Sequence, residues 1–166
     1  MNLRLANNNE QDVIWNIILQ AIDQRKKDGS DQWQNGYPNE DTIKEDIEKG
    51  YGYVLTENNI VIAYAAIIFG LEPAYKDIKG SWLSDGNYVV VHRVATSEKY
   101  KGKGIATKLF TLIEDLSIRN NTYSIKVDTN FDNQPMLKIL EKLSYTYCGE
   151  IFFSGASRMA YEKLLK

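Results

Sequence analysis

The stretch "KYKGKGIATKLF", residues 99–110, places lysines and glycines directly in front of an apolar pattern typical of a helix. Glycine is unfavourable inside a helix, and lysine usually lies near a helix's carboxyl end. The first N–H groups of a helix have no intrahelical acceptor and carry partial positive charge. A glycine-rich and lysine-rich loop that opens a helix is therefore typical of a phosphate or pyrophosphate site. A solvated turn, whose glycines serve only chain geometry, is the alternative.

Two familiar phosphate-binding motifs do not fit this loop. The P-loop needs two glycines five positions apart followed by Lys and Ser or Thr, whereas Gly102 and Gly104 are two positions apart. The dinucleotide fingerprint needs a third glycine where this chain has Thr107. The loop must therefore belong to another class of anion site, if it is one.

The composition is typical of a globular protein of ordinary size. Of the 166 residues, 43% are hydrophobic and 25% are charged, and the net charge of −2 gives no electrostatic case for nucleic acid binding. The single cysteine, Cys148, excludes an internal disulfide and the usual cysteine-based zinc sites. We find no signal-peptide core and no run near the roughly 20 apolar residues of a membrane span. We expect a cytoplasmic protein with no membrane partner and no metal.

Hydrophobic periodicity predicts alternating helices and strands in a single domain, residues 1–166. After a short strand, "NLRLA", apolar residues at helical spacing predict a first helix that reaches about Lys27. The later segments read as the helix "EDTIKEDIEKG", the hairpin "YGYVLT" and "IVIAYAAIIFG", the strand "NYVVVHRVAT", the helix that the opening stretch begins, the strand "YSIKVDT", the helix "NFDNQPMLKILEKLS", and the strands "YTYCGEIFF" and "ASRMAYEKL". The order β-α-α-β-β-β-α-β-α-β-β predicts a mixed sheet with helices on its faces.

The segment "KGKGIA", residues 101–106, resembles the Arg/Gln-x-x-Gly-x-Gly/Ala signature of the GNAT superfamily, the acyl-CoA-dependent N-acyltransferases. Lys101 stands where Arg or Gln is usual in this signature. Lysine keeps the positive charge of arginine but lacks the planar set of N–H donors of the guanidinium group. "DQWQNGYP", "HRVA" and "DTNFDN" are similar to a bacterial subgroup. The resemblance covers essentially the whole chain. It implies an α/β (α+β) fold: a mixed, mostly antiparallel sheet of six to seven strands with helices on both faces, splayed between strands 88–96 and 123–129.

The resemblance also implies acetyl-CoA as co-substrate and assigns residues to it. In the superfamily, the loop and helix start hold the CoA pyrophosphate through backbone amides, here those of Lys101, Gly102, Lys103, Gly104, Ile105 and Ala106, with a hydroxyl from Thr107. Backbone groups of Val94, Ala95 and Thr96 are expected to pair with pantetheine. Asn133 matches an Asn that commonly contacts the cofactor, and it fits a plain helix N-cap equally well.

The implied chemistry is direct attack of an amine on the thioester, which needs a base and a proton for the leaving thiolate. Many relatives supply that proton from a Tyr seven residues after the Asn, and this chain has Leu140 there. We predict that Leu140 belongs to the core. Tyr145 and Tyr147 are candidate substitutes for the acid, or the thiolate leaves unaided, because the ordinary pKa of a thiol is roughly 8.5.

His92, the only histidine, is the candidate base. It shares strand alternation with Val94 and Thr96, and one relative places a working histidine at a comparable point of this strand. A structural histidine hydrogen-bonded in the sheet is the alternative. Asp128 ends the next strand, where it can fix a substrate amine or a histidine, or cap the following turn. A hydrolase dyad of Cys148 and His92 has no oriented third residue to support it.

The acceptor site of the superfamily is built from the first two helices with their loop and from the segment before the cofactor strand. Those segments here are "QWQNGYP" and "GSWLSDGNY". Aromatic residues are predicted to wall the pocket and carboxylates to attract an amine: Trp33, Tyr37, Trp82 and Tyr88, and Asp31, Glu40 or Asp85. The aromatic residues are equally typical of small core clusters under long loops.

We therefore predict an N-acetyltransferase that acts on a primary amine of a small molecule or a peptide, as a monomer or homodimer. One alternative is a CoA-binding module with weak catalysis, which Leu140 in place of Tyr suggests. The other is a nucleotide-binding or interaction domain that uses the same anion loop. His92 and the aromatic residues in both acceptor segments favour the enzyme.

Overall fold

The computed structural model describes residues 1–153 and 155–166. The strands are β1 (Asn2–Leu5), β2 (Gly52–Glu57), β3 (Ile60–Phe69), β4 (Lys79–Gly80), β5 (Val89–Thr96), β6 (Ser124–Thr129), β7 (Thr146–Phe153) and β8 (Ala156–Leu164). The helices are α1 (Gln11–Lys27), α2 (Glu40–Glu48), α3 (Ile105–Arg119) and α4 (Gln134–Lys142). Short 3₁₀ helices span Asn8–Glu10, Pro73–Asp77 and Glu98–Tyr100.

The strands form one open mixed sheet in the order β1-β2-β3-β5-β6-β8-β7-β4. Strands β5 and β6 pair in parallel, whereas β1–β2, β2–β3, β4–β7, β6–β8 and β7–β8 pair in antiparallel fashion. The predicted fold class is therefore confirmed, with eight strands rather than the expected six to seven. Among the described residues, no helix has both the length and the apolar character that crossing a bilayer would require.

The additional strand, β4, lies between β3 and β5, where the periodicity of the sequence predicts no strand. It pairs Lys79 and Gly80 with Glu150 and Gly149 of β7, and a two-residue strand is too short to show alternation. The two backbones approach closely at the glycines. A Cβ on Gly149 would lie 2.2 Å from the carbonyl oxygen of Lys79, and the residue has φ +140°. Glycine is therefore required at this crossing.

We expect Gly149→Ala to lower the free energy of unfolding by at least about 2 kcal/mol, because a methyl group would overlap backbone atoms that cannot rotate away. Urea denaturation monitored by circular dichroism measures this loss. Gly86→Ala is the matched control, since a Cβ there meets no atom within 4 Å. If both variants unfold at the same urea concentration, the close crossing of β4 and β7 is wrong.

The chain divides into two compact units, and the prediction of a single domain stays a prediction. The first unit comprises Met1–Ile67 and Arg93–Leu112. Its core buries one face of α1 together with residues of α2, β2, β3 and β5, namely Ile14, Ile17, Ile18, Ile43, Val54, Tyr64 and Ala95. The spacing of the three isoleucines of α1 places them on one side of the helix, as the sequence predicted.

The second unit comprises Ile68–His92 and Ile113–Lys166. Its core includes Tyr75, Tyr88, Val90, Ile151 and Ala160. The parallel ladder joins residues 89–91 of β5 to residues 125–127 of β6, and both strands continue beyond its last pair. The ladder thus ends within strands 88–96 and 123–129, the two strands that were expected to separate from each other. Leu140 of α4 is fully buried, as predicted for a core residue.

Candidate functional site

The loop that opens α3 has the geometry of an anion site. Gly102 and Gly104 have φ values of +76° and +72°, and a Cβ on either would meet no atom within 4 Å. Ile105 is buried and anchors the first turn of α3, and the N–H of Lys108 bonds to the carbonyl oxygen of Gly104 at 3.0 Å. The N–H groups of the first turn of a helix have no intrahelical acceptor. The left-handed, exposed glycines therefore fit close approach of a pyrophosphate to the backbone.

The residues predicted to pair with pantetheine lie at the end of β5. Ala95 is buried in the core of the first unit, and Val94 and Thr96 are half-buried. Arg93, which precedes them, has φ +53°, a left-handed value that is uncommon for a residue with a side chain. Thr107 is half-buried, and its carbonyl oxygen accepts a hydrogen bond from the hydroxyl of Thr111.

Asn133 serves as the N-cap of α4 in the second unit. Its side-chain oxygen accepts a hydrogen bond from the N–H of Met136 at 3.4 Å, and its amide nitrogen donates to the hydroxyl of Thr129 at 3.1 Å. The side chain is buried. The N-cap interpretation accounts for these contacts, and the contact of Asn133 with acetyl-CoA stays a prediction.

His92 lies between two carboxylates in the second unit. Its Nε2 is 3.3 Å from Oε2 of Glu72, and its Nδ1 is 3.7 Å from Oδ2 of Asp128. The side chain of His92 is 15% exposed, so the cluster is enclosed but reachable. A carboxylate only accepts hydrogen bonds, so contact with Glu72 favours the tautomer with the proton on Nε2. Nδ1 then keeps a lone pair that faces the gap to Asp128.

Tyr75 and the protein interior set the state of Asp128. The hydroxyl of Tyr75 donates to Oδ2 of Asp128 at 2.7 Å. Burial raises the pKa of the Asp128 carboxyl, while His92 and the Tyr75 hydroxyl act in the opposite direction. Burial and the neighbouring Asp128 raise the pKa of Tyr75, so its hydroxyl stays protonated and keeps donating.

The raised pKa of Asp128 has a consequence for stability. Because the carboxyl titrates at a higher pH in the folded state than its ordinary 3.8, ionisation costs folding free energy. At pH values below the ordinary pKa of 3.8 this cost is absent. It grows as the pH rises from 3.8 to the higher pKa that Asp128 has in the folded protein. Asp128→Asn removes the charge but keeps an oxygen that can accept from Tyr75. We expect the variant to melt at a higher temperature than the wild type at pH 7, with a smaller gain near pH 4.

Thermal melts across this pH range measure the effect. Asp85→Asn is the matched control, because Asp85 is an exposed carboxylate of the same unit. A lower melting temperature for Asp128→Asn at pH 7 would show that the attraction between Asp128 and His92 outweighs the cost of burial.

Trp82 and Tyr88, two of the predicted acceptor walls, enclose a lysine of the chain itself. Nζ of Lys126 lies 4.5 Å from the centre of the Trp82 ring and 4.0 Å from that of Tyr88. Lys126 is buried, and burial lowers its pKa. The indole N–H of Trp82 donates to the carbonyl oxygen of Tyr75. The two rings thus hold an internal ammonium group, and their role toward a substrate stays a prediction.

Tyr37, another predicted wall, takes part in a polar cluster of the first unit. Arg93 forks onto Asp46 with bonds of 2.8 and 2.6 Å, and it also donates to the Tyr37 hydroxyl at 2.6 Å. Tyr37 is 46% exposed, and Trp33 is half-buried with φ +63°. Tyr37 therefore presents part of its ring to solvent while its hydroxyl is fixed. The predicted carboxylates Asp31, Glu40 and Asp85 are exposed.

Tyr145 is not placed next to His92. Nζ of Lys163 lies 5.7 Å from the centre of the Tyr145 ring, and Lys163 pairs with Ile125 across β8 and β6. Side chains alternate along a strand, so Ile125 and Asp128 point to opposite faces of the sheet. Tyr145 therefore lies on the face opposite His92 and Asp128, and the three predicted catalytic residues are not brought together.

The other candidates from β7 also lie apart from the histidine cluster. The ring of Tyr147 packs against Tyr161 at 5.6 Å, and Tyr161 pairs with Val127, on the same face as Ile125. The thiol of Cys148 donates to the carbonyl oxygen of Thr146, and burial raises its pKa. A reactive cysteine needs a lowered pKa, so the structure gives the hydrolase dyad no support.

Sequence reasoning missed Glu72 and Tyr75. Glu72 is the N-cap of the 3₁₀ helix Pro73–Asp77, and its N–H donates to the hydroxyl of Tyr88. An acceptor residue directly before a proline is a helix-start signal that could have been recognised. No signal in the sequence could show that this turn lies against His92.

The sequence and the fold define the class of this protein. The profile of the acetyltransferase (GNAT) family matches residues 18–145, and the chain belongs to that family. It is an acetyl-CoA-dependent acetyltransferase. No protein of curated function matches the sequence closely enough to count as a relative.

Solved structures agree with this assignment. A GNAT-family acetyltransferase from Streptococcus agalactiae is 39% identical, covers 99% of this chain and 95% of its own, and superposes with a TM-score of 0.90. A proposed acetyltransferase from Staphylococcus aureus is 28% identical over the full length of both chains, with a TM-score of 0.76. The structure of a proposed acetyltransferase from Salmonella typhimurium with its cofactor acetyl-CoA shares the fold, with a TM-score of 0.69. The two sequences are 19% identical, and the match covers 100% of this chain and 94% of the other.

Proposed function

We propose that the protein moves the acetyl group of acetyl-CoA onto a primary amine of a small molecule or peptide, with His92 as the base. The observation that carries this proposal is the position of the His92 ring between the carboxylates of Glu72 and Asp128. A base held by a second group that orients it is the usual arrangement for activating a nucleophile. The family supplies the acetyl donor, and the cluster supplies the means to deprotonate an acceptor.

The loop at residues 101–107 is the proposed site for the pyrophosphate of acetyl-CoA. Its glycines leave open space at the backbone, and the helix that follows brings unpaired N–H groups and partial positive charge. Backbone groups of Val94, Ala95 and Thr96 are proposed to hold pantetheine. Acetyl-CoA supplies a thioester, whose thiolate is a fair leaving group because the ordinary pKa of a thiol is roughly 8.5.

The proposed proton path runs through His92. An amine reaches the site as an ammonium ion, which the carboxylates of Glu72 and Asp128 attract. Nδ1 of His92 takes one proton, and Glu72 holds the ring by accepting from Nε2. The gap of 3.7 Å between Nδ1 and Asp128 is too long for a direct hydrogen bond and suits a bridging donor such as an ammonium or a water. The neutral amine then attacks the thioester carbon and the C–S bond breaks, which releases the CoA thiolate. The attacking nitrogen loses its second proton to bulk water.

A dedicated general acid is not part of this proposal. Leu140 occupies the position of the usual Tyr, and it is fully buried. Tyr145 and Tyr147 lie on the sheet face opposite His92, so we leave both out of the proton path. His92 then holds the proton that it took from the amine, and this proton can pass to the departing thiolate. A thiolate is a fair leaving group, so it needs no further acid.

A free-thiol assay with acetyl-CoA and a panel of primary amines tests the proposed activity. We expect amine-dependent release of CoA thiol, and mass spectrometry should find an N-acetyl product. Binding of CoA without any amine-dependent release would instead favour the weak CoA-binding module. Calorimetry that finds tighter binding of ATP than of CoA would favour the nucleotide-binding alternative.

A further inference from the structure

We infer that two glutamines of α1 position the acetyl-CoA loop, and that Lys101 acts through one of them rather than on the pyrophosphate. This inference rests on the proposed pyrophosphate site at residues 101–107. The oxygen of Gln20 accepts the backbone N–H of Glu98 at 2.9 Å. The oxygen of Gln24 accepts Nζ of Lys101 at 2.7 Å. All four residues belong to the first unit.

The two glutamines form a matched pair on the helix. They are four residues apart, so they lie on the same face of α1, one turn from each other. Both are half-buried, and the buried isoleucines of α1 hold the helix against the core of the first unit. The amide oxygens therefore extend from a rigid element, which is what a positioning contact requires.

The contact of Gln20 completes the short helix in front of the loop. The 3₁₀ helix Glu98–Tyr100 has Ser97 as its N-cap, and the serine side chain makes no capping hydrogen bond. Gln20 caps the N–H of Glu98 from another element instead. The N–H of Lys101 bonds back to the carbonyl oxygen of Glu98 at 3.1 Å, so the turn held by Gln20 leads directly into the glycines.

The contact with Gln24 accounts for a lysine at position 101, where the family signature usually has Arg or Gln. Lysine lacks the planar fork with which arginine grips a phosphate, and it acts as a single point donor. Here that donor is engaged by a neutral amide on α1. Lys103 lies over the ring of Tyr100, with Nζ 5.4 Å from its centre. Two lysines of the loop are therefore directed to α1 and to Tyr100, which leaves the backbone N–H groups as the principal phosphate donors.

A double-mutant cycle with CoA as the probe tests this inference. The variants are Gln24→Met, Lys101→Met and the pair, with Kd measured by calorimetry. Methionine keeps the length of both side chains and the helix propensity at position 24, and Lys101 is exposed outside the helices, so each variant should fold and melt close to the wild type. We expect each single variant to weaken CoA binding about fivefold, and the pair also about fivefold, because both remove the same contact. Gln20→Met should weaken binding by a similar factor.

Gln11→Met is the matched control, because Gln11 lies on the same helix and donates to Glu40 instead of the loop. It should leave the Kd unchanged. If the double variant binds CoA roughly 25-fold more weakly than the wild type, the effects of Gln24→Met and Lys101→Met are independent. That result would overturn the inference and place Lys101 on the phosphate itself. So would a Gln24→Met variant with wild-type affinity. The Gly104→Glu variant distinguishes failure of this inference from failure of the proposed pyrophosphate site. If that variant binds CoA with wild-type affinity, the proposed site is wrong.

Discussion

A Gly104→Glu variant is expected to keep its fold, with some loss of stability, and to bind CoA at least about a hundredfold more weakly than the wild type. A Cβ at this position meets no atom within 4 Å, so the added side chain has room in the free protein. The same open space is where the pyrophosphate is proposed to approach. A carboxylate beside a pyrophosphate costs several kcal/mol, and each 1.4 kcal/mol is a factor of ten in Kd.

Gly50→Glu is the matched control for backbone strain. Gly50 lies in the same unit, has φ +74° against +72° for Gly104, and also has no atom within 4 Å of a built Cβ. Both variants should lose similar stability, because each forces a side chain into the left-handed region. Only Gly104→Glu should lose CoA in calorimetry. A folded Gly104→Glu protein with wild-type affinity would remove the basis for placing acetyl-CoA at this loop.

The second large effect is expected at His92. His92→Gln should lower turnover at saturating acetyl-CoA by between about 10-fold and 10⁴-fold, the usual contribution of a positioned base. The glutamine amide can still donate to Glu72, so the local structure should persist, but it cannot take a proton. CoA affinity should change little, because the loop that is proposed to hold CoA is untouched.

A purely structural histidine predicts a different result. In that case His92→Gln lowers the melting temperature, while turnover per folded molecule stays near that of the wild type. A His92→Ala variant adds a direct check, because exogenous imidazole should restore part of its activity if the ring is the base. Failure of imidazole to restore activity, together with wild-type turnover of His92→Gln, would move the role of base to Asp128 or to bulk water.

Much of the first unit was predictable from the sequence. The isoleucines at positions 14, 17 and 18 are spaced for one helix face, and the structure buries all three. Gly102 and Gly104 in front of an apolar helical pattern predict a glycine loop that opens a helix. The structure begins α3 at Ile105, directly after this loop, and both glycines have positive φ. These features depend on neighbouring residues, so local periodicity and backbone sterics are enough to predict them.

The surroundings of His92 could not be predicted in the same way. Alternation indicates which face of β5 the histidine occupies, but not which segment covers that face. Glu72 comes from a turn and Asp128 from the end of another strand, and the packing of the second unit brings them within 3.3 and 3.7 Å of the ring. The same packing places Lys126 against Trp82 and Tyr88, so two expected acceptor walls hold a lysine of the chain.

The sequence by itself determined the family signature, the order of the helices and of every strand except β4, and the loop that opens α3, because each is encoded by residues close together in the chain. The tertiary structure alone decided the neighbours of His92, the separation of Tyr145 from it, and the contact of Lys101 with Gln24. Those contacts join residues far apart in sequence. Their formation depends on which loops and helices pack against each strand face, and no local pattern of side chains contains that information.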